Sequence, residues 1–290
     1  MPDKLASGCK LNRGKAADKR YYMIRDIQDE ICEAIEELYF EASQVDYIAY
    51  ILLIGRFEIQ PGLKVHSGTD CVSNYQMDIY RDETRSQFYL DYLRQNYSKD
   101  GFHYQDGNAV NDITKELTIY SHLWDSDYFM KSLYRFAAII SGRGYLWKDV
   151  LPTREVHKHF SENVIQPFKQ KSLKIGSLLE KVYKSSLRNA FAHSCYSIET
   201  DERKLRIWPK SSGYETYTFD EFQQIFLYSV ILMNKMENYQ ELNHNRTAER
   251  NNAITEAFDT PDGVKVQVYG RMVERGDIVT PELRMVKVID

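Results

Sequence analysis

The sequence predicts a mainly α protein: a helical bundle with a β-hairpin insert after one central helix and a short C-terminal β tail. Three observations carry this. Apolar residues recur at three- and four-residue spacing through most of the chain, as at Ile24, Ile27, Ile31, Ile35 and Leu38. Short alternating segments cluster between residues 195 and 218. After residue 263 the composition turns to β-type residues, with candidate strands at Val264–Tyr269 and Arg284–Ile289.

The 290 residues are 43% hydrophobic, enough for one sizeable core or two smaller ones. Residues 1–14 lack periodicity and read as a frayed terminus. Residues 15–130 read as an N-terminal helical region continuous with the bundle or separate from it, residues 131–243 as the bundle core, and residues 244–290 as the tail. The first helix is expected from Asp18, with a break near Ser43 and an end near Phe57 before Pro61-Gly62. A loop over Leu63–Tyr80, a helix over Arg81–Gln95 and a second loop over Asn96–Asn111 follow. Stripes at Ile113, Leu117, Tyr120 and Leu123, then at Tyr128, Leu133, Phe136, Ala137 and Ile140, make two more helices that end at Gly142–Gly144.

Thr153 is a candidate cap for a helix ending near Gln166, because a proline at 167 disfavours helical geometry before it. The central helix is expected as one piece, Leu173–Ser194, with Ile175, Leu179, Val182, Tyr183, Leu187 and Ala190 on one arc and Lys181, Lys184 and Arg188 on the opposite one. Strands at Cys195–Ile198, Lys204–Trp208 and Tyr214–Thr218 are expected next. Thr218-Phe-Asp-Glu221 then fits a capping box opening a helix to about Leu242, with a polar break over Asn243–Asn252.

The four cysteines, Cys9, Cys32, Cys71 and Cys195, form no CxxC pair and suit reduced thiols in a cytoplasmic protein. The apolar run Ile48–Ile54 is far too short to span a bilayer, so no membrane partner is expected. A formal charge of −4 hides an asymmetry, since Lys148–Lys210 holds 13 Lys/Arg against 7 Asp/Glu, a local excess of +6 that can attract phosphate. His157 and His159 are two apart and cannot chelate one metal from a helix. His66, His103, His122 and His244 have no ligand-spaced partners, and no phosphate loop, GxGxxG or GxSxG is present, so neither a metal nor a cofactor is expected.

The candidate chemistry sits in Leu187-Arg-Asn-Ala-Phe-Ala-His193-Ser-Cys-Tyr196. A histidine serves as general acid or base near neutrality, and an arginine presents planar donors suited to phosphate oxygens. Asn189 lies four residues before His193, on the same helix face. The RNxxxHS string at a helix end, followed by a hairpin and a capped helix, resembles the HEPN superfamily over about residues 133–242. Many HEPN proteins are ribonucleases of toxin-antitoxin and antiviral systems.

That resemblance implies metal-independent RNA cleavage by 2′-OH attack, leaving a 2′,3′-cyclic phosphate. Arg188 and His193 would be catalytic, Asn189 supporting, and Lys181, Lys184, Ser194 and Tyr196 would contact RNA. Five residues place Arg188 and His193 about 140° apart on a straight helix, so one helix does not aim both at one phosphate. The family solves this with a homodimer whose composite site joins two motifs. Two alternatives stand beside this reading. One is a non-catalytic module that binds RNA or a partner protein. The other is a toxin held by a nucleotidyltransferase antitoxin that modifies a tyrosine two residues after the histidine; here Tyr196 lies three after it.

Overall fold

A computed structural model describes residues 19–55, 58–59, 80–97, 108–147, 150–152, 156–208, 213–250, 256–261, 263–275 and 278–288. The first helix, α1 (Lys19–Val45), buries the expected stripe of Ile27, Ile31, Ile35 and Leu38. Its break falls at Asp46, whose side chain accepts from the Ala49 N–H at 2.9 Å and so starts α2 (Tyr47–Ile54) by satisfying an orphan donor. Strand β1 (Glu58–Ile59) and helix α3 (Tyr80–Tyr97) follow. The expected Pro61-Gly62 stop and nearly all of the loop over 63–80 lie outside the described residues, as does most of the second loop.

Helices α4 (Ala109–Trp124) and α5 (Asp127–Ile140) match the next two stripes. Ser126 caps α5 by accepting from Phe129 N–H. Gly142, at φ 73°, closes α5 with bonds from its own N–H to Ile139 and from Arg143 N–H to Ala138. Thr153 lies outside the described residues.

Pro167 does not stop its helix. Helix α6 (Val156–Phe160) widens into a π-helical turn (Ser161–Ile165) and continues as α7 (Gln166–Gln170), with Gln166 N–H reaching back to Ser161. The proline occupies the first turn after this change of register, where a missing N–H is tolerated. Ser172, at φ 56°, then ends α7 as a glycine would.

The central helix is two helices, α8 (Lys174–Val182) and α9 (Ser185–Ala192), with Tyr183 and Lys184 extended between them. Strands β2 (Tyr196–Glu199), β3 (Lys204–Ile207) and β4 (Glu215–Thr218) form an antiparallel meander close to the expected positions. Thr218 Oγ1 accepts from Glu221 N–H, and Glu221 accepts in return from Thr218 N–H at 2.7 Å, completing the capping box.

That box opens α10 (Phe219–Arg250), which runs straight through the expected polar break. Asn243 stays helical because its amide bonds the Tyr239 carbonyl and its oxygen accepts from Tyr50. Beyond it, Ala248 is buried in the core.

The tail forms β5 (Phe258–Asp259), β6 (Lys265–Arg275) and β7 (Ile278–Lys287), with β1 added in parallel at the edge, in the order β1-β7-β6-β5. Its hairpin packs on α10 and contributes Val266, Val268, Leu283 and Met285 to the same core that holds residues of α1, α2, α4, α5, α8 and α10. The architecture is therefore mainly helical with two small, largely antiparallel sheets. Among the described residues no helix is long and apolar enough to cross a membrane.

Candidate functional site

The motif is presented by α9, and its junction with α8 is hydrogen-bonded by a residue far away in sequence. The buried Tyr120 hydroxyl of α4 accepts from the Lys184 N–H at 2.8 Å and donates to the Val182 carbonyl at 2.9 Å. These are backbone groups that the interruption would otherwise leave unpaired in the interior. Burial raises the pKa of Tyr120 well above the ordinary phenol value, so it remains a neutral donor. Leu187 and Ala190 then seat α9 in the core against α4.

The C-terminal end of α9 sets how the motif is displayed. Ser194 adopts φ 53°; its N–H bonds the Phe191 carbonyl at 3.1 Å, and the Cys195 N–H bonds Ala190 at 2.7 Å. This paired pattern satisfies the last carbonyls and turns the chain into β2. His193 is the cap residue, with its N–H on the Asn189 carbonyl at 3.1 Å. The turn leaves Asn189, His193 and Ser194 exposed. Among the described residues no hydrogen bond or ion pair engages the Asn189 amide or the His193 imidazole.

Arg188 behaves differently. Its guanidinium pairs with Asp125, the residue that caps the C-terminus of α4. A helix C-terminus repels a carboxylate through the macrodipole, and the guanidinium offsets that cost. The same cation partly opposes the burial that raises the Tyr183 phenol pKa. Asp125 is the site residue that the sequence reading missed. It lies 63 positions from Arg188, and no local pattern marks it.

Of the other expected RNA contacts, Ser194 and Tyr196 lie at the motif turn, whereas the two lysines are engaged elsewhere. Because the helix breaks at Tyr183, Lys181, Lys184 and Arg188 form no common stripe. Lys181 places its ammonium 3.6 Å from the centre of the Tyr228 ring on α10, and Lys184 folds back to the Glu180 carbonyl at 3.0 Å. Tyr196 is half-buried with its ring 5.8 Å from that of Phe191.

The three-stranded sheet is fastened to α9 through Glu215, which accepts from Ser186 and from Tyr217, each at 2.8 Å. Burial, with Glu215 adding to it, pushes the Tyr217 phenol up to about 12. A groove of about 660 Å³ lies between α1 and α7–α8, lined in part by Glu30, Glu33, Lys174 and Lys181. It contains no motif residue from α9, and Lys174 is paired with Glu33 at its wall. Among the described residues no cluster of three or more His, Cys, Asp or Glu could hold a metal ion. No family model, curated protein or solved structure matches this chain.

Proposed function

We propose that this chain is an endoribonuclease of the HEPN type, acting without a metal in a toxin or antiviral role. One observation supports the reading above others: a helix end that displays the Asn189 amide and His193 imidazole unengaged, one turn from an arginine already held in place by Asp125. Such groups match the needs of phosphodiester transesterification. A 2′-oxygen attacks phosphorus and its proton passes to a base. The bond to the 5′-oxygen breaks, and that oxygen takes a proton from an acid. The products are a 2′,3′-cyclic phosphate and a 5′-hydroxyl.

In an in-line displacement the attacking and leaving oxygens lie on opposite sides of phosphorus, so one imidazole does not reach both. A second copy of the chain supplies the other histidine in this reading, so the active species is a homodimer with two motifs facing one cleft. Arg188 would exchange Asp125 for the phosphate oxygens, where its charge is needed as the phosphorane forms. Asn189 would orient the imidazole or the substrate. Incubating the purified protein with total RNA in excess EDTA tests the activity: cleavage should persist, with cyclic phosphate ends.

A second reading is favoured by the Arg188–Asp125 pair itself. An arginine already neutralised suits a non-catalytic module that binds RNA or a partner protein, an antitoxin among them. That module would bind RNA and leave it intact in the same incubation.

A further inference from the structure

The outer face of the β2–β3–β4 sheet carries an aromatic pair at its motif end. In β3, Leu205 and Ile207 are buried while Lys204 and Arg206 are not, so the alternation sends the next residue, Trp208, outward. On β4, Thr216 is exposed, and the same alternation puts Tyr214 on its side. The register pairs Ile207 with Glu215, and one step further it sets Trp208 opposite Tyr214. Directly opposed residues in such a ladder have Cβ atoms roughly 5 Å apart. The Trp208 N–H also bonds the Cys195 carbonyl at 2.9 Å, which fixes this end of the sheet two residues from His193.

Both side chains are open, Trp208 at 44% and Tyr214 at 66% exposure. Among the described residues neither ring makes an aromatic contact, so their faces are not used on each other. Large rings left outside a core forfeit much of the stabilisation that their burial would bring. Here they stand at the sheet end that joins the turn after the exposed His193, and Trp208 lies within Lys148–Lys210, the stretch with the +6 charge excess.

We propose that Trp208 and Tyr214 form a stacking platform for the bases of single-stranded RNA, holding the strand next to His193. The proposal rests on the ribonuclease reading for its purpose but not for its binding chemistry. Every base has a π face, whereas a duplex keeps those faces stacked internally. The platform therefore selects unpaired RNA with little sequence preference.

The test uses the full chain and a labelled single-stranded 2′-O-methyl oligonucleotide, which lacks the attacking hydroxyl and so reports binding apart from cleavage. Fluorescence anisotropy should show Trp208→Ala and Tyr214→Ala each weakening affinity about tenfold, the size of a lost base stack. Trp208→Phe should restore most of the affinity, and annealing the complementary strand should abolish the difference between wild type and Trp208→Ala. Unchanged affinity in the Trp208→Ala/Tyr214→Ala double variant overturns the platform, even if unmodified RNA is still cut. The same holds if that variant loses only self-association, which would make the patch a protein contact. Loss of affinity with the aromatic variants, in a protein that never cuts unmodified RNA, keeps the platform and removes the nuclease reading instead.

Discussion

The hydroxyl of Tyr120 bridges the interruption between α8 and α9, taking the Lys184 N–H at 2.8 Å and giving its own proton to the Val182 carbonyl at 2.9 Å. Removing that oxygen leaves a backbone donor and acceptor without partners, at a cost of about 1–3 kcal/mol. Tyr120→Phe should lower stability by that amount in urea denaturation. It should also slow RNA cleavage, because α9 loses the tie that sets its direction. A variant as stable as the wild type would show that the break is held by packing alone.

The pairing of Arg188 with Asp125 has a different consequence. The pair is partly exposed, at 27% and 48%, so its loss should change stability by no more than about 1 kcal/mol. Asp125→Asn should instead free the guanidinium for phosphate. Its binding to an uncleavable RNA analogue should tighten and become more salt-dependent, with the slope of log K against log salt steeper by about 0.7 for one added phosphate contact. An unaltered slope would mean that Arg188 does not face the RNA.

Ser194 holds a left-handed conformation, φ 53°, that favours glycine. Ser194→Gly should stabilise the protein by up to about 1 kcal/mol, and Ser194→Val should destabilise it through its branched β-carbon. Thermal melts of the two variants check the order. If glycine is no better than valine, the turn after His193 is not under this strain.

Alkaline conditions should unfold the protein. The Tyr217 phenol is raised from about 10 to about 12, and burial raises Tyr120 and Tyr134 in the same direction. A raised folded pKa means that the unfolded state releases its proton first. The associated stability is therefore complete below pH about 10 and is lost as pH climbs towards 12. Unfolding free energy measured at pH 9 and at pH 11 should fall, and Tyr217→Phe should lessen the fall. A flat profile would contradict the burial of these phenols.

Much of this architecture was legible in the sequence because it rests on local chemistry. The Ile27–Leu38 stripe, the Asp46 break near the expected Ser43 and the Thr218–Glu221 box all depend on residues within a few positions of one another. The sheet segments followed from alternation. What escaped depends on distance. The split of α8 from α9 is paired by Tyr120, more than 60 residues earlier, so periodicity alone showed one helix. Pro167 was absorbed by a π-helical turn, and Asn243 was kept helical by Tyr50 and Tyr239. At the site, Asn189 and His193 were legible as neighbours one helical turn apart, whereas the Asp125 partner of Arg188 and the dispersal of Lys181 and Lys184 required the fold.

The central claim is that His193 carries out proton transfer in RNA cleavage. The most direct test compares wild type with His193→Ala on a defined RNA in EDTA, reading both the cleavage rate and the product ends, with folding checked by circular dichroism. His193 is exposed and bonded through its backbone, so the variant should fold as the wild type does. The wild type should give cyclic phosphate products, and the variant a rate at least 100-fold lower. Cleavage by His193→Ala at the wild-type rate would contradict the claim.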